Sequence, residues 1–406
     1  MSDPPSPDSP SPNLPSPSAP RDDPHPAAPG IRVDGQDAPA DTDFLAALRL
    51  SLVPGVGPRL RRALLERFGS AAAVFAAAPS ELRAVERVGP KLADKILRAE
   101  ERIDVEAEVA RCREHDVAIV PEAADDYPRP LREIHDPPGV LFVRGQLKPE
   151  DSLAIGMVGT RHATPYGLRQ AERLAGSLAR AGLTIVSGLA RGIDAACHRG
   201  AIEAGGRTLA VLGSGVLNIY PPEHKQLAAE VAQQGAVISE SPPTFEPLAG
   251  SFPQRNRLIS GLSLGVLVIE AGERSGALIT ARHAMEQGRD VFAMPGSVES
   301  RASRGCHRLI RDGARLVESA DDVLEELGPL VEPAPRDDGP AVHHPAELQL
   351  NEIEQQVLAA IDGEPTPIDQ VVARSGLAVP RVLSTLSVLE MRHLVRRLSG
   401  TMVARK

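Results

Sequence analysis

Residues 153–202 read LAIGMVGTRHATPYGLRQAERLAGSLARAGLTIVSGLARGIDAACHRGAI and contain two short apolar runs, each followed by a glycine-bearing loop and a helical pattern. LAIGMV and TIVS have the length and composition of buried strands. The alternation continues to residue 327, where TLAVLG, AVISE, GVLVIE, VFAMPG and RLVE are further candidate strands. Strands that alternate with helices predict an α/β fold with a doubly wound parallel sheet, and such sheets bind ligands at the carboxyl ends of their strands.

The composition is that of a multidomain globular protein. The chain has 406 residues, of which 42% are hydrophobic and 24% charged, and no apolar run reaches the length of a membrane span. The N-terminus lacks the basic and apolar parts of a secretory signal, so we expect a cytoplasmic protein. Cys112, Cys197 and Cys306 are too few and too widely spaced for a disulfide framework or a zinc site, and we expect neither a metal nor a cofactor.

The net charge of −9 hides a segregation of charge along the chain. Residues 1–43 carry two basic and eight acidic groups, and residues 318–350 carry one and nine. Residues 44–104 carry eleven basic and seven acidic groups, residues 251–315 carry ten and six, and residues 391–406 carry five basic groups and no acid. Three locally basic segments could therefore meet an anionic partner, although each could also be a solvated face.

Composition divides the chain into five parts. Residues 1–42 are rich in Pro, Ser and Asp and are predicted to be disordered. Residues 43–110 form a predicted helical domain, residues 111–330 the α/β domain, and residues 331–348 a linker. Residues 349–406 show three helical patterns and an apparent two-stranded ribbon, which predicts a winged helix. Such modules bind DNA or proteins, and the sequence leaves both open.

The helical domain contains two related segments, LVPGVGPRLRRALLERFG and ERVGPKLADKIL, each a glycine-containing hairpin followed by a basic amphipathic helix. In such helix-hairpin-helix repeats the backbone N–H groups of the hairpin and of the next helix can face a phosphate. Gly55, Gly57, Arg59 and Lys91 are therefore possible secondary contacts to DNA. Many such repeats are purely structural, which is the alternative here.

Three loops that follow strands of the predicted sheet carry residues suited to an anion. In chain order they contribute Gly159, Thr160 and Arg161; Gly188, Arg191 and Gly192; and Ser275 and Gly276. Glycine lets the backbone approach a ligand, and arginine offers a forked hydrogen-bond donor. Each loop alone could be a tight turn, but together at one sheet edge they predict a cradle for phosphates.

A further basic stretch, FPQRNRLISGLS at residues 252–263, directly precedes the fifth strand and is predicted to lie along the same edge. Its contributions to the predicted site are Phe252, Arg255, Asn256 and Arg257. One of the two arginines could instead form an internal ion pair with Glu240 or Glu270. The spacing of the arginines favours a shared target if the stretch is extended and opposite faces if it is helical. With no Trp, three Tyr and seven Phe, the chain has few platforms for base stacking, so phosphates are the expected targets.

Two nucleotide-binding motifs are missing or broken. No GxxxxGK[ST] sequence occurs, which excludes the phosphate-binding loop of that ATPase class. GSGVLN at residues 213–218 has Asn218 where a dinucleotide fingerprint has its third glycine. The phosphates that the loops could bind are therefore not expected to belong to ATP or NAD.

Seven stretches between residues 126 and 327 together resemble the DNA-processing protein A (DprA) family. They are DYPRPLREIHDPPGVLFVRG, MVGTRHATPYG, VSGLARGIDAACHRGA, LGSGVLNIYPPEHKQL, FPQRNRLISGLS, EAGERSGALITARHAMEQGRDVFAMPG and GCHRLIRDGA. The resemblance implies an extended Rossmann-like core with a phosphate pocket, accompanied by the helical and winged-helix domains. It also implies a non-enzymatic protein that forms homodimers, protects incoming single-stranded DNA and loads the recombinase RecA on it during natural transformation.

The resemblance also assigns roles to residues. The implied pocket is Gly159, Thr160, Arg161, Gly188, Arg255, Asn256, Arg257 and Ser275. The stretch SGALITARHAMEQG is implied to lie near the surface for self-association and RecA contact, with Leu278, Ala281 and Met285 at helical spacing; the alternative is a helix packed wholly on the sheet. Many members of the family have Asn where this chain has His307, so no ligand contact is carried over to that position.

Two other classes of protein remain as alternatives. The loops distantly resemble lysine-decarboxylase-like phosphoribohydrolases, which cleave nucleoside monophosphates. However, EAGERSGALITA lacks the glycine run of those enzymes, and Glu270 and Glu273 precede the predicted helix instead of lying on it. The third class is a winged-helix transcription regulator with a ligand-sensing core.

Overall fold

The computed structural model describes residues 42–328, 334–336, 339–342, 352–361, 366–391, 394–398 and 402–405. The predicted disordered tail, apart from Thr42, and much of the predicted linker lie outside the described residues. The helices are α1 (Thr42–Leu52), α2 (Pro58–Phe68), α3 (Ala71–Ala76), α4 (Pro79–Arg83), α5 (Pro90–Leu97), α6 (Ala99–Arg102), α7 (Val105–Glu114), α8 (Arg129–Arg132), α9 (Pro165–Arg180), α10 (Ile193–Glu203), α11 (Lys225–Gln234), α12 (Ser251–Gly261), α13 (Ala277–Glu286), α14 (Arg304–Arg311), α15 (Ala320–Leu327), α16 (Glu352–Ala359), α17 (Ile368–Ser375) and α18 (Val379–Met391).

The strands of the described residues form three sheets. They are β1 (Val117–Pro121), β2 (Val140–Gly145), β3 (Ala154–Val158), β4 (Thr184–Ser187), β5 (Thr208–Val211), β6 (Ala236–Ser239), β7 (Gly265–Val268), β8 (Asp290–Ala293), β9 (Arg315–Leu316), β10 (Ala334–Arg336), β11 (Gly339–Val342), β12 (Thr366–Pro367), β13 (Val395–Arg397) and β14 (Met402–Arg405). The largest sheet has nine strands in the order β1-β2-β6-β5-β4-β3-β7-β8-β9. The pairs from β6 across to β9 are all parallel.

The predicted doubly wound parallel sheet is confirmed. Each of the seven strands predicted from the sequence is present as one of β3 to β9. The central strands β3 to β7 are buried along their whole length, which is why they appear in the sequence as continuous apolar runs without polar alternation. Strands β1 and β2 extend the sheet in the antiparallel sense and were not predicted.

Two hydrophobic layers enclose the sheet. Helices α7, α9, α10, α11 and α15 pack on one face. Helices α8, α12, α13 and α14 pack on the other face. Because both faces are covered, the carboxyl edge of the parallel strands and its loops are the part of the sheet that remains open to a ligand.

The strand order reverses between β3 and β7. From β3 the chain moves outward through β4 and β5 to β6, then returns to place β7 on the other side of β3. The return connection carries α12, which crosses from the end of β6 to the start of β7. The loops after β3 and β7 diverge at this switch point and leave a crevice between them, which is where doubly wound sheets bind ligands.

The helical domain contains two copies of one hairpin. VPGVGP at residues 53–58 and VERVGP at residues 85–90 each close a turn with a hydrogen bond between their two valines, Val56 N to Val53 O and Val88 N to Val85 O. Gly55 has φ +103° in the first turn, and Arg87 occupies the equivalent position with φ +70°. The second hairpin is therefore longer than the segment recognised in the sequence, because an arginine takes the left-handed position that usually favours glycine.

The C-terminal domain has a winged-helix arrangement, as predicted. Helices α16, α17 and α18 pack around a common apolar core, and β13 pairs with β14 as the predicted ribbon. The short strand β12 adds a third strand beside β14. In the described part of the chain, no single helix is long and apolar enough to cross a membrane. Helices α17 and α18 reach the required length and apolar composition only when they are taken together, and the pair is bent by 110°.

Candidate functional site

A cleft of about 700 Å³ lies at the switch point, between the loops that follow β3 and β7. It collects side chains and backbone from four separate segments of the chain, which lie within residues 158–162, 190–194, 249–259 and 272–280. Eight predicted site residues line it: Gly159, Thr160, Arg161, Phe252, Arg255, Asn256, Ser275 and Gly276. The switch point therefore brings most of the predicted phosphate cradle to one place.

Close packing of backbone shapes the loops around the cleft. Gly192, with φ +76°, precedes α10, and a Cβ at this position would lie 2.4 Å from the carbonyl oxygen of Thr160. The loop after β4 is thus pressed against the loop after β3, and only glycine permits both the conformation and the approach. On the opposite side, the Thr160 N–H donates to the Glu270 carbonyl oxygen at 2.7 Å, which ties the β3 and β7 loops together.

Arg255 is buried at the base of the cleft. Its side chain projects from α12, and Nη1 donates to the carbonyl oxygen of Val211 at 2.8 Å, while Nε has no hydrogen-bond partner among the described residues. A Cβ on Gly188 would lie 1.7 Å from Nη1, so the guanidinium rests directly on the backbone of the β4 loop. Burial lowers the pKa of Arg255 to about 10, with Asp194 opposing the shift and Arg161 adding to it.

Asp194 is the counter-charge beneath the cleft. It is the second residue of α10 and is 6% exposed. One carboxylate oxygen accepts from the Ala190 N–H at 3.4 Å. Burial raises the pKa of Asp194, and the nearby Arg255 partly offsets that rise. The acid and the arginine therefore support each other in a place where either charge alone would be costly.

Arg161 lies at the exposed rim. Its Cζ is 5.3 Å from the centre of the Phe252 ring, the distance of a cation–π contact. Phe252 in turn packs 5.6 Å from the ring of Tyr220. Because Arg161 remains open to solvent, its fork is available to an incoming anion.

The prediction for Arg257 is corrected by the structure. Residues 251–261 form a helix, so the two arginines of RNR point to different sides, the alternative given by their spacing. Arg257 is 6% exposed, pairs with Glu240 and donates to the carbonyl oxygen of Asp136 at 2.7 Å. It holds α12 to the rest of the fold on the side away from the cleft.

Arg191 and Gly188 border the cleft without lining it. Arg191 is exposed and forms an ion pair with Glu223, which leaves it beside the rim. This contact raises the pKa of Arg191 and lowers that of Glu223. Gly188 has no side chain, and this allows the guanidinium of Arg255 to pack against its backbone.

Neither acidic residue after β7 is among the described residues that line the cleft, although Glu273 is exposed in the same loop. Glu270 is 3% exposed and accepts from the backbone N–H of Thr164 at 2.9 Å and from the Thr164 hydroxyl. It therefore holds Thr164, the N-cap residue of α9, whose hydroxyl oxygen accepts from the Gly167 N–H at 3.1 Å. His307 donates from Nε2 to the Gly296 carbonyl oxygen at 3.0 Å, which ties α14 to the loop after β8.

The predicted secondary contacts lie mainly at the junction of the helical and α/β domains. Gly55, Gly57 and Arg59 line a second cavity there, of about 860 Å³, whereas Lys91 is exposed on α5. Across this junction, Nε of Arg59 lies 3.7 Å from Oδ2 of Asp136.

The same helix, α2, supplies two further contacts to the α/β domain. Arg61 is buried and pairs with Glu122, and Arg62 donates to the carbonyl oxygen of His135 at 2.9 Å. Three arginines of α2 thus contact the α/β domain, which favours the structural alternative for the first hairpin.

The predicted association surface on α13 is corrected at one residue. Ala281 is fully buried in the core under the sheet. Leu278 is half-buried against the same core, and Met285, seven residues later on the same side of the helix, is 54% exposed. An α13 surface would therefore consist of Met285 and the outer part of Leu278, without Ala281.

Sequence reasoning missed three residues of the site. Arg274 lines the cleft from the β7 loop, Asp194 lies at its base, and Tyr220 extends its aromatic rim. Arg274 could have been predicted from the sequence, because it lies one residue before Ser275 in the same loop. Asp194 and Tyr220 carried none, since their relevance depends on which helix and loop pack beside α12.

The fold and the cleft together define an α/β protein with an anion-binding switch point, preceded by paired helix-hairpin-helix motifs and followed by a winged helix. Comparison with known families agrees in all three parts. Residues 118–328 match the model of DNA recombination-mediator protein A, residues 341–401 match the DprA winged helix domain, and residues 47–99 match the SAM-like helix-hairpin-helix tandem. The chain belongs to the DNA recombination-mediator protein A family, also called the DprA family.

Several curated relatives resemble the chain over most of their length. Protein Smf of Synechocystis sp. is 37% identical over 391 residues, which cover 88% of this chain and 98% of that protein. DNA processing protein DprA of Bacillus subtilis is 45% identical over 220 residues, covering 54% of this chain and 74% of that protein. The crystal structure of DprA from Streptococcus pneumoniae matches with a TM-score of 0.61 and 36% identity, covering 70% of this chain and 97% of that one.

Proposed function

We propose that the chain binds single-stranded DNA through phosphates in the switch-point cleft and delivers the strand to RecA, acting as a homodimer and without catalysing a reaction. The proposal rests on the cleft and on membership of a family described as recombination mediators. The predicted role in natural transformation belongs to the same proposal.

The observation that carries the proposal is the charge around the cleft. Arg161, Arg255 and Arg274 line it together with glycine-bearing loops whose backbone a phosphate can approach closely. Asp194 is the one carboxylate among the described residues that line the cleft, and it is buried beside Arg255. An anionic ligand at the rim therefore lies next to guanidinium groups and is not repelled by a carboxylate there.

The size of the cleft favours a single strand. A volume of about 700 Å³ is that of a small-molecule site, so it admits one or a few nucleotides at a time. A flexible single strand can present its backbone to such a cleft. A duplex holds its two backbones apart by base pairing and cannot insert in the same way. Phosphate contacts carry no sequence information, so little base preference is expected.

Among the described residues that line the cleft, no carboxylate is placed as a general acid or base for the enzymatic alternative. Glu270 is buried and bonded to Thr164, Asp194 is buried near Arg255, and Glu273 is exposed but does not line the cleft. A phosphoribohydrolase would need such a group within reach of the bound nucleotide. We therefore expect no hydrolysis of nucleoside monophosphates.

Self-association and RecA contact are assigned to the outer side of α13. Met285 is a large apolar side chain that is 54% exposed, next to half-buried Leu278. The helix also begins at the cleft, because Ser275 and Gly276 immediately precede it. A partner bound along α13 would thus lie close to the DNA strand.

Fluorescence anisotropy with single- and double-stranded oligonucleotides of several sequences tests the proposal. If roughly 4–6 phosphates are neutralised, log Kd against log salt should change with a slope of magnitude about 3–4 for the single strand. The single strand should bind more tightly than the duplex, with little dependence on sequence. Equal binding of both, a salt slope near zero, or release of adenine from AMP in a parallel assay would refute it.

Delivery to RecA is measured separately, by the single-strand-dependent ATPase activity of RecA on DNA already covered by a single-strand-binding protein. The chain should shorten the lag before RecA assembles. If the chain binds DNA but does not change that lag, the proposed DNA site is supported and the proposed delivery to RecA is refuted.

A further inference from the structure

Tyr220 and Phe252 form an aromatic pair at the rim of the cleft. Their ring centres are 5.6 Å apart and their planes are inclined by 50°. Tyr220 lies in the loop between β5 and α11, whereas Phe252 begins the helix that carries Arg255. The fold thus brings one of only three tyrosines in the chain to the mouth of the proposed phosphate site.

Phe252 itself offers little free ring surface. The Arg161 guanidinium lies over it, with Cζ 5.3 Å from the ring centre. The Gly213 backbone also approaches, since a Cβ there would lie 3.1 Å from Cδ1 of Phe252. The phenyl ring is therefore used to support its neighbours.

Tyr220 is the open member of the pair. It is 37% exposed and lies close to Arg191, which pairs with Glu223. The contact with the Phe252 ring, at 5.6 Å between ring centres, supports one side of the tyrosine ring and leaves the rest open. A flat aromatic surface that is held in place and open to solvent loses little conformational entropy when a second ring stacks on it.

We propose that Tyr220 is the stacking platform for one nucleobase of the DNA strand whose phosphates occupy the switch-point cleft. The inference rests on the proposed function and adds a base contact to it. Every base has a flat π-face, so this contact is compatible with a site that reads no sequence. Arg161 and Arg255 then hold the backbone, while Tyr220 fixes the position of one base beside it.

Substitution of the ring tests the proposal. Base–aromatic stacking is typically worth about 5- to 150-fold in affinity per base, so Tyr220→Leu should weaken binding of an oligothymidylate by a factor in that range. Tyr220→Phe keeps the ring and should bind within about twofold of the parent. Tyr166→Leu is the matched control. Tyr166 is similarly exposed, at 39%, but its hydroxyl donates to the Pro295 carbonyl oxygen at 3.4 Å, and in the described part of the chain its ring is not paired with Phe252. Tyr166→Leu should leave affinity unchanged.

An abasic oligonucleotide separates stacking from support of the loop. It retains the phosphates and lacks the bases, so the difference in affinity between the parent and Tyr220→Leu should disappear on it. An equal loss on the abasic and the normal strand would mean that Tyr220 acts by holding the loop, and the proposal would be wrong. Melting temperatures of all variants show whether the loop has been disturbed.

A spectroscopic measurement gives a direct readout. The chain contains no tryptophan, so Tyr220→Trp introduces a single indole at the proposed platform. Its fluorescence should be strongly quenched by a normal oligonucleotide and only weakly by an abasic one at equal saturation. Quenching that is the same for both strands would overturn the proposal. Absence of binding to either strand would instead refute the proposed function, so the two failures are distinguishable.

Discussion

Replacement of Arg255 should reduce both the stability of the α/β domain and its affinity for DNA. The guanidinium donates to the Val211 carbonyl oxygen at 2.8 Å and lies near the buried carboxylate of Asp194. In Arg255→Ala, Asp194 keeps its buried position and loses its positive neighbour. The variant loses the hydrogen bond to Val211 and part of the positive charge near Asp194, which should cost about 1–3 kcal/mol, or a drop in melting temperature of about 2–12 °C for a domain of roughly 200 residues.

The pH dependence of this loss has a defined sign. Burial already raises the pKa of Asp194 in the folded protein, and removing Arg255 should raise it further. A raised folded-state pKa favours the protonated acid, so the associated stability is present below the pKa of the unfolded chain and is lost as pH rises through the folded value. Arg255→Ala should therefore be closest to the parent in mildly acid buffer and furthest from it near neutral pH.

A double-mutant cycle isolates the pair. Asp194→Asn removes the charge that Arg255→Ala leaves exposed to the low dielectric, so the double variant should be about 1–3 kcal/mol more stable than the sum of the single losses predicts. Denaturant titration at two pH values measures all four proteins. Additive losses, or an Arg255→Ala variant that melts within about 2 °C of the parent at neutral pH, would refute the reasoning.

Arg161→Ala is the comparison that separates binding from stability. Arg161 is exposed, and its contact with Phe252 is worth at most about 0.5–1 kcal/mol. Its phosphate contact is worth about 1.5–3 kcal/mol, so affinity for single-stranded DNA should fall roughly 10- to 150-fold with little change in melting temperature. A large drop in melting temperature for Arg161→Ala would show that the rim arginine is structural.

Three further predictions follow from the contacts. Arg257→Ala, which breaks the pair with Glu240, should cost about 3 kcal/mol of stability while the affinity per folded molecule stays within about threefold. His198 is fully buried, and its pKa is lowered from 6.5 to about 3, chiefly by burial, so the parent should lose about 2 kcal/mol between pH 7.5 and pH 5 while His198→Asn stays nearly flat. Met285→Glu should weaken self-association in sedimentation, whereas Ala281→Glu should prevent folding.

The prediction for His198 depends on its hydrogen bonds. The Thr208 hydroxyl donates to the Ile185 carbonyl oxygen at 2.8 Å, so it accepts from Nδ1–H of His198 at 2.7 Å. Nε2 is then the basic nitrogen, and it is buried without a hydrogen-bond partner in the part of the chain that the structure describes, so a proton there would find no acceptor in that part. Because the folded pKa is depressed, the stability is present above pH 6.5 and is lost as pH falls toward 3. Equal acid sensitivity of His198→Asn would show that another group is responsible.

The other two predictions have equally clear contrary results. Arg257→Ala that folds normally and loses DNA affinity would restore the original expectation that this arginine binds phosphate. A protein that remains monomeric at tens of micromolar, or a dimer unaffected by Met285→Glu, would remove α13 as the association surface.

The sequence by itself determined the sheet and the approximate location of the site. Fully buried parallel strands must be apolar along their length, so β3 to β7 could be recognised locally, and β8 and β9 were recognised because the alternation of short apolar runs and helical patterns continues through them. Glycine-bearing loops after such strands could be assigned to one edge, because parallel strands end on the same side. Gly159, Thr160, Arg161, Ser275 and Gly276 were predicted correctly as neighbours for that reason, and they do line one cleft.

Only the tertiary structure decided which side chains face the cleft. Arg255 and Arg257 are two residues apart in a stretch whose local sequence allows a strand or a helix, and the packing of α12 across the switch point makes it a helix. That choice turns Arg255 to Asp194 and Arg257 to Glu240. Tyr220 reaches Phe252 only because two distant loops meet there. Such contacts depend on how whole helices and loops pack together. The local sequence around each residue therefore does not indicate them.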